Sequence, residues 1–290
     1  MSELDLSSTL PPAVARGLGD KSYEKRKNSA LEITSLIKTL QQRGDYDKTA
    51  GLIAQISREF VRSKNSNYRK GGLIGLAAVS IGMSTDIDKF LHTLVPPVLQ
   101  CFDDQESRVC YYACESMYNI VKVARASILE YFNPLFDGVC SLFDHTDPDV
   151  KNGAILLDKL IRDIVIETKT IDIEAIIPLL KSQITRTKPY IRQLIVGWIM
   201  VFKAVPGVHM IDFLPDFLAG LFDMLGDPAQ EIREAAANAL SSFLEDIRSA
   251  DVVDFGPMIK ILVLECSSTD PANRVTALAW LMEFMNQLIK

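Results

Sequence analysis

Long apolar runs, clustered histidines and glycine-rich loops are all missing from this chain of 290 residues. The longest uninterrupted apolar run, residues 194–202, has nine residues, half of the roughly 18 that a membrane span requires. The first residues carry Glu3 and Asp5, with no basic region leading into an apolar one. That pattern is not a secretory signal, and the chain reads as cytosolic, without a transmembrane span. Its three histidines, His92, His145 and His209, are scattered, and its five cysteines are odd in number. Cys110 and Cys114 share a helix face, but no second pair stands ready to complete a metal site. Cysteines within apolar helical patterns read instead as small hydrophobes. No phosphate loop, nucleophile elbow, zinc motif or Ser/His/Asp constellation is present, so no catalytic residue, cofactor or metal is expected. Acid pairs such as Asp103-Asp104 fall at turns, where helix capping accounts for them.

What the chain does contain is a repeated helical hairpin. Its clearest copy spans 213–247, where an apolar helix runs to Leu225, Gly226-Asp227-Pro228 breaks it, and a second helix carries Ile232, Ala236, Leu240 and Phe243 on one face. Gly226 is expected to end the first helix in a left-handed conformation and Asp227 to cap the second. A single hairpin cannot bury both of its apolar stripes, so it needs neighbours. The small residue at Ala236 recurs as Ser29, Gly72, Ala113, Ala154, Ile195, Ala236 and Ala279, at intervals of 41 or 43. Three residues before it stand Arg26, Arg69, Cys110, Lys151, Arg192, Arg233 and Thr276, five of seven basic. A period near 41 with an Asp/Pro turn, an apolar-basic pair and a downstream small residue resembles the HEAT repeat.

The reading is therefore all-α: a HEAT/armadillo-like α-solenoid of about seven helical hairpins, at residues 11–43, 46–84, 86–125, 126–167, 171–205, 209–248 and 252–289, forming one domain. The second hairpin's second helix is unusually rich in glycine, with Gly71, Gly72 and Gly75; glycine costs a helix up to about 1 kcal/mol each, so these positions imply close helix contact. In the fourth hairpin Leu156, Leu157, Leu160, Ile161 and Ile164 form the apolar stripe, where an introduced charge should cost several kcal/mol. Trp198 reads as core. The last helix reads as apolar along Val275, Leu278, Ala279, Met282 and Met285; no capping face follows it, so the chain reads as the N-terminal part of a longer one.

Charge is uneven. Residues 1–70 carry 13 Lys/Arg against 8 Asp/Glu, while 207–254 hold ten acids, including Asp251, against Arg233 and Arg248. The N-terminal end suits an acidic partner or anionic lipid, and an overall pI near 5.2 argues against nucleic acid. Tyr111, Tyr112 and Tyr118 lie around one helix, so some face outward, and beside Arg108 they suit protein recognition.

Several segments exceed what the HEAT consensus dictates: YEKRK at 23–27, YRKGGLIGLAAVSI at 68–81, CFDD with RVCYYACESMYNIVKVAR within 101–125, LFDGV at 135–139 and DPDVKNGAILLDKLIRDIV at 147–165. They resemble the N-terminal HEAT region of the vacuole-morphology scaffold family of the phosphatidylinositol 3-phosphate 5-kinase complex. The resemblance implies a non-enzymatic adaptor, peripheral on vacuole and endosome membranes. It implies as partners the FYVE-type kinase, held by its chaperonin-like region, and a Sac-type phosphoinositide phosphatase, with synthesis of phosphatidylinositol 3,5-bisphosphate promoted. In that family a longer C-terminal region drives homo-oligomerisation and phosphatase binding. On this reading the stacked second helices line a concave face, with Arg69, Lys70, Arg108, Tyr111, Tyr112, Lys151 and Arg192 as candidate kinase contacts. The plainer role of Arg69, Lys151 and Arg192 is to pair with a turn Asp of a neighbouring hairpin. A HEAT-repeat nuclear-transport or phosphatase-regulatory adaptor is the alternative of the same architecture.

Overall fold

A computed structural model describes residues 10–168, 172–250 and 252–289, and every element in it is helical. The leader with Glu3 and Asp5, the opening residue of the fifth expected repeat at 171, and Asp251 lie outside the described residues. The chain divides into two compact units, Met1–Ile164 and Val165–Lys290.

In the first unit, short first helices α1 (Pro12–Leu18), α3 (Tyr46–Ile56), α5 (Leu91–Leu99) and α7 (Phe132–Phe143) alternate with longer second helices α2 (Tyr23–Gln42), α4 (Ser66–Met83), α6 (Ser107–Ala124) and α8 (Pro148–Glu167). A π turn, Ser57–Val61, prolongs α3. The second unit repeats the pattern with α9 (Ile173–Ile184) and α10 (Pro189–Ala204), α11 (Leu214–Leu225) and α12 (Gln230–Ser249), and α13 (Gly256–Glu265) and α14 (Pro271–Ile289). Within each unit the helices bury apolar stripes against one another, and Ile33, Leu52, Leu76, Val109, Ile120, Leu157, Trp198, Phe217 and Phe243 are fully or almost fully buried.

The recurring arginine closes the turn before the second helix of its own hairpin. Arg26 Nη1 donates to the carbonyls of Asp20 and Lys21 at 2.8 and 2.9 Å, and Arg69 Nη1 to those of Ser63 and Lys64 at 3.0 Å each. Arg233 does the same to Asp227 and Pro228 at 2.8 and 2.9 Å. In the third repeat Cys110 replaces the arginine, and its Sγ donates to the Asp104 carbonyl at 3.1 Å. These bonds satisfy turn carbonyls that no helix ladder reaches. The turn's own side chain starts the helix: Asp20, Asp104, Asp227 and Asp270 each accept the amide two residues on. Gly226, by contrast, keeps φ at −92°, so the left-handed ending expected there is not used; Asp270 Oδ2 lies 3.2 Å from where its Cβ would stand.

The last hairpin corrects the expected register. Arg274, not Thr276, makes the two turn bonds, at 2.8 and 3.0 Å to Ser268 and Thr269. The small buried residue is accordingly Ala277, and the interval stays at 41 residues from Ala236. The buried face of α14 is Asn273, Ala277, Trp280 and Phe284. Ala279 is exposed, and so are Val275, Leu278, Met282 and Met285, which the sequence suggested as the stripe. Two aromatic side chains outweigh the longer aliphatic row, because a ring buries more area than any single aliphatic chain.

The glycines of α4 do permit close approach. A Cβ at Gly71 would stand 1.8 Å from the Leu18 carbonyl oxygen, and one at Gly72 would stand 2.7 Å from the Val61 amide nitrogen. The helix is thereby pressed onto both the first hairpin and its own partner helix.

Cys101, Cys110, Cys114 and Cys140 are buried and Cys266 is partly exposed. Burial pushes the Cys101 and Cys114 thiols up to about 12, and it raises Cys110 too. A thiol-reactive dye at pH 8 should therefore label the folded protein quickly at Cys266 only, and at all five cysteines in denaturant. Fast labelling that survives Cys266→Ser would contradict this packing.

Candidate functional site

The second helices of the first unit pack side by side. Thr34 Oγ1 on α2 donates to the Ala78 carbonyl on α4 at 3.1 Å, and Ser116 Oγ on α6 donates to the Leu73 carbonyl of α4 at 2.9 Å. Small residues on α4, Ala77 and Ala78, form a floor between larger neighbours on α2 and α6. The result is a cleft of about 150 Å³, walled by Leu31, Ile74 and Ile81 and closed at one side by Tyr23 and Tyr112. Leu31 and Ile81 remain 59% and 46% exposed, which is high for aliphatic side chains in a folded unit. A second cleft of about 380 Å³ lies between α6 and α8, lined by Tyr111, Tyr118, Glu115, Asp149, Asn152 and Leu156.

Between the clefts runs a ridge of aromatic and charged groups on α6. Tyr111 and Tyr112 meet edge to face at 5.5 Å, and Tyr23 stacks on Tyr112 at 6.4 Å. The Arg108 guanidinium lies 4.6 Å from the Tyr111 ring centre and 5.7 Å from that of Tyr112, while Arg26 stands 5.8 Å from that of Tyr112. Arg108 also reaches Asp149 across the second cleft at 3.1 Å, with both groups mostly exposed. Partial burial lowers the Lys70 ammonium, and the Arg26 and Arg108 charges add to that against the pull of Glu106. Burial raises the Glu115 carboxyl, with Arg108 opposing, and the Glu115 charge in turn raises the Tyr111 hydroxyl.

Lys70, Arg108, Tyr111 and Tyr112 thus come together on one face. Arg69 and Arg192 have other tasks. Arg69 forms a two-pronged pair with Asp104 of the next hairpin, Nε to Oδ2 at 2.7 Å and Nη2 to Oδ1 at 2.9 Å. Arg192, 8% exposed, binds Asp227 at 2.7 Å and Asp223 at 2.7 Å, and Asp227 is itself 5% exposed. These are the cross-hairpin pairs with a turn Asp that the register suggested. Lys151 is half-buried on α8.

Leu156 requires a correction. It is 59% exposed and lines the second cleft, so it is a surface group, whereas Leu157, Ile161 and Ile164 are the buried members of that stripe. The turn from 156 to 157 carries the chain from the groove to the core, and apolarity alone does not tell the two apart. Sequence reasoning also missed Leu31, Ile74 and Ile81; their only signal was apolar spacing that core residues share.

The class is that of the HEAT/armadillo helical-repeat proteins. A profile described as HEAT repeat matches residues 217–247, and an archaeal HEAT-like repeats protein from Thermococcus onnurineus NA1 superposes with a TM-score of 0.53 at 10% identity, covering 97% of this chain and 98% of that one. A profile described as the Vacuolar 14 Fab1-binding region matches residues 67–163. The chain is 49% identical over 281 residues to the protein VAC14 homolog of Arabidopsis thaliana, covering 97% of this chain and 38% of that protein. It is 35% identical over 275 residues to the vacuole morphology and inheritance protein 14 of Saccharomyces cerevisiae, covering 81% of this chain and 31% of that protein. The chain belongs to the VAC14 family and corresponds to its N-terminal region. It spans about a third of the length of the curated relatives it matches.

Two substitutions separate support from surface. Arg192→Ala strands the buried Asp227 and should destabilise the second unit by about 3 kcal/mol; Tyr111→Ala, at a half-buried position, should cost less than about 1.5 kcal/mol. Urea denaturation followed by circular dichroism reads both, and equal losses would contradict the assignment.

Proposed function

We propose that this chain is a non-enzymatic scaffold segment that binds a Fab1-type phosphatidylinositol 3-phosphate 5-kinase through the α4–α6–α8 face. The observation that carries the reading is the coincidence of two boundaries. The Fab1-binding profile covers 67–163, and that span holds Lys70, Arg108, Tyr111, Tyr112, Lys151 and Leu156 with the whole second cleft. Rigid aromatic rings and an arginine around a pocket have the composition of a binding hot spot. Tyr111, Tyr112 and Arg108 are the central contacts, Lys70 and Lys151 flank them, and Leu156 is the apolar anchor at the cleft mouth. Arg69 acts from behind, by holding α6 against α4, and Arg192, outside the matched span, holds the second unit's hairpins.

The kinase region proposed to dock is its chaperonin-like part. Activation of the kinase, coupling to a Sac-type phosphoinositide phosphatase, homo-oligomerisation and residence at vacuole or endosome membranes belong to the same proposal, supported by kinship with longer relatives. So does the continuity of residues 1–290 as one solenoid of seven repeats. Among the described residues no helix is long and apolar enough to cross a membrane, so attachment through a bound partner fits this scheme.

The test is binding of the purified chaperonin-like region to this chain by calorimetry, with helical circular dichroism recorded for each variant. Wild type should bind, and Tyr111→Ala and Leu156→Asp should each weaken binding by about tenfold or more, roughly 1.4 kcal/mol, with the helical signal unchanged. Leu157→Asp should lose the helical signal as well, because it buries a charge. Unaltered affinity in Tyr111→Ala and Leu156→Asp would refute the assigned face.

A further inference from the structure

The first cleft has a built-in polarity. On α4, Lys70, Ile74, the adjacent pair Ala77 and Ala78, and Ile81 follow one another at steps of three or four residues, on one helical face. Ile74, Ala77, Ala78 and Ile81 line the cleft, and Lys70 stands one turn before them, toward Arg26 and Arg108. On α2, Lys27 precedes Leu31 by the same step, and both border the cleft. Cationic groups therefore gather at one end of an apolar pit, next to the Tyr23–Tyr112 stack.

Most of the other cations are already engaged. Arg69 is held by Asp104, Arg108 by Asp149, and Arg26 Nη1 by two turn carbonyls. The Arg26 Nε is buried without an acceptor. Among the described residues Lys70 has no carboxylate within ion-pair distance. Lys70, with Lys27 the other ammonium without an ion pair at this cleft, does not make the row of unpaired cations that a nucleic-acid backbone needs. It suits a peptide that offers one carboxylate next to one apolar side chain.

We infer that the α2–α4–α6 cleft receives a short acidic segment of the bound kinase, an aliphatic or aromatic side chain filling the pit between Leu31, Ile74 and Ile81 and an adjacent carboxylate pairing with Lys70. This rests on the kinase-binding reading and names the chemistry that the partner presents. The cleft extends the interface onto α2, which precedes the span matched by the Fab1-binding profile. The apolar part supplies affinity through area removed from water, and the carboxylate sets the direction in which the segment lies.

Overlapping short peptides tiling the kinase's chaperonin-like region, each labelled for fluorescence anisotropy, test this against the full chain. The bound peptides should share an apolar residue followed within one helical turn by Asp or Glu. Leu31→Asp and Ile81→Asp change exposed residues and should keep the helical signal, while weakening those peptides by about tenfold or more. Lys70→Glu should weaken them similarly, and a peptide with Lys in place of its acid should recover binding to Lys70→Glu but not to wild type. If the intact region binds wild type and all three variants equally, the cleft assignment is overturned and the kinase reading stands. If neither the intact region nor any peptide binds wild type, the kinase reading is overturned and this inference with it.

Discussion

The pair between Arg69 and Asp104 holds the groove together. One guanidinium closes its own turn through the carbonyls of Ser63 and Lys64 and clamps a carboxylate of the next hairpin in two-pronged geometry. The same carboxylate accepts the Glu106 amide and so starts α6. A charge-assisted, planar pair of this kind fixes orientation as well as distance. Arg108, Tyr111 and Tyr112 all lie in the first turns of α6, so this pair, together with the Ser116–Leu73 bond further along the helix, sets their positions relative to α4. Arg192 holds the same place in the second unit, its two prongs divided between Asp227 and Asp223, and the deeper burial of Asp227 gives a correspondingly larger cost of separation.

Close helix approach is the second requirement, and glycine supplies it. With Gly71 and Gly72 at the backbones of Leu18 and Val61, α4 sits lower than a helix of larger residues would. The Ala77–Ala78 floor continues that thin helix toward its C-terminus. A shallow pit therefore opens where three helices would otherwise fill the space with side chains. The groove is created here by small residues as much as by the tyrosines that border it.

The hairpins and the pairing of Arg69 and Arg192 with a turn Asp of the next hairpin were legible in the sequence, because each is a local pattern repeated at 41 residues and repetition separates signal from coincidence; the bonds of the register arginines to their own turn carbonyls were not. The register of the last hairpin was not. Val275, Leu278, Ala279 and Met282 are spaced as well as the true face for a helix, and only the turn bonds of Arg274 and the burial of Trp280 and Phe284 decide between them. Leu156 and Leu157 show the same limit at one position, since adjacent leucines lie 100° apart on a helix and composition cannot say which faces inward. Of the candidate contacts, Lys70, Arg108, Tyr111 and Tyr112 were named from the sequence and converge in space. The cleft beside them was not legible, because its walls come from residues some forty positions apart on separate helices.

In the proposed scheme such a surface, apolar pits separated by an aromatic ridge on packed helices, binds without a moving part. Rigid presentation limits the entropy lost on association, and the cross-hairpin pairs are the contacts the scheme relies on for it. The most direct measurement is a double-mutant cycle of Arg69→Ala and Asp104→Ala read as affinity for the kinase's chaperonin-like region. If the pair sets the α4–α6 geometry, each single variant weakens binding and the double variant is no weaker than the worse single one, a coupling of about 1–3 kcal/mol. Additive losses, or affinities that all match wild type, would contradict the claim that this pair positions the binding face.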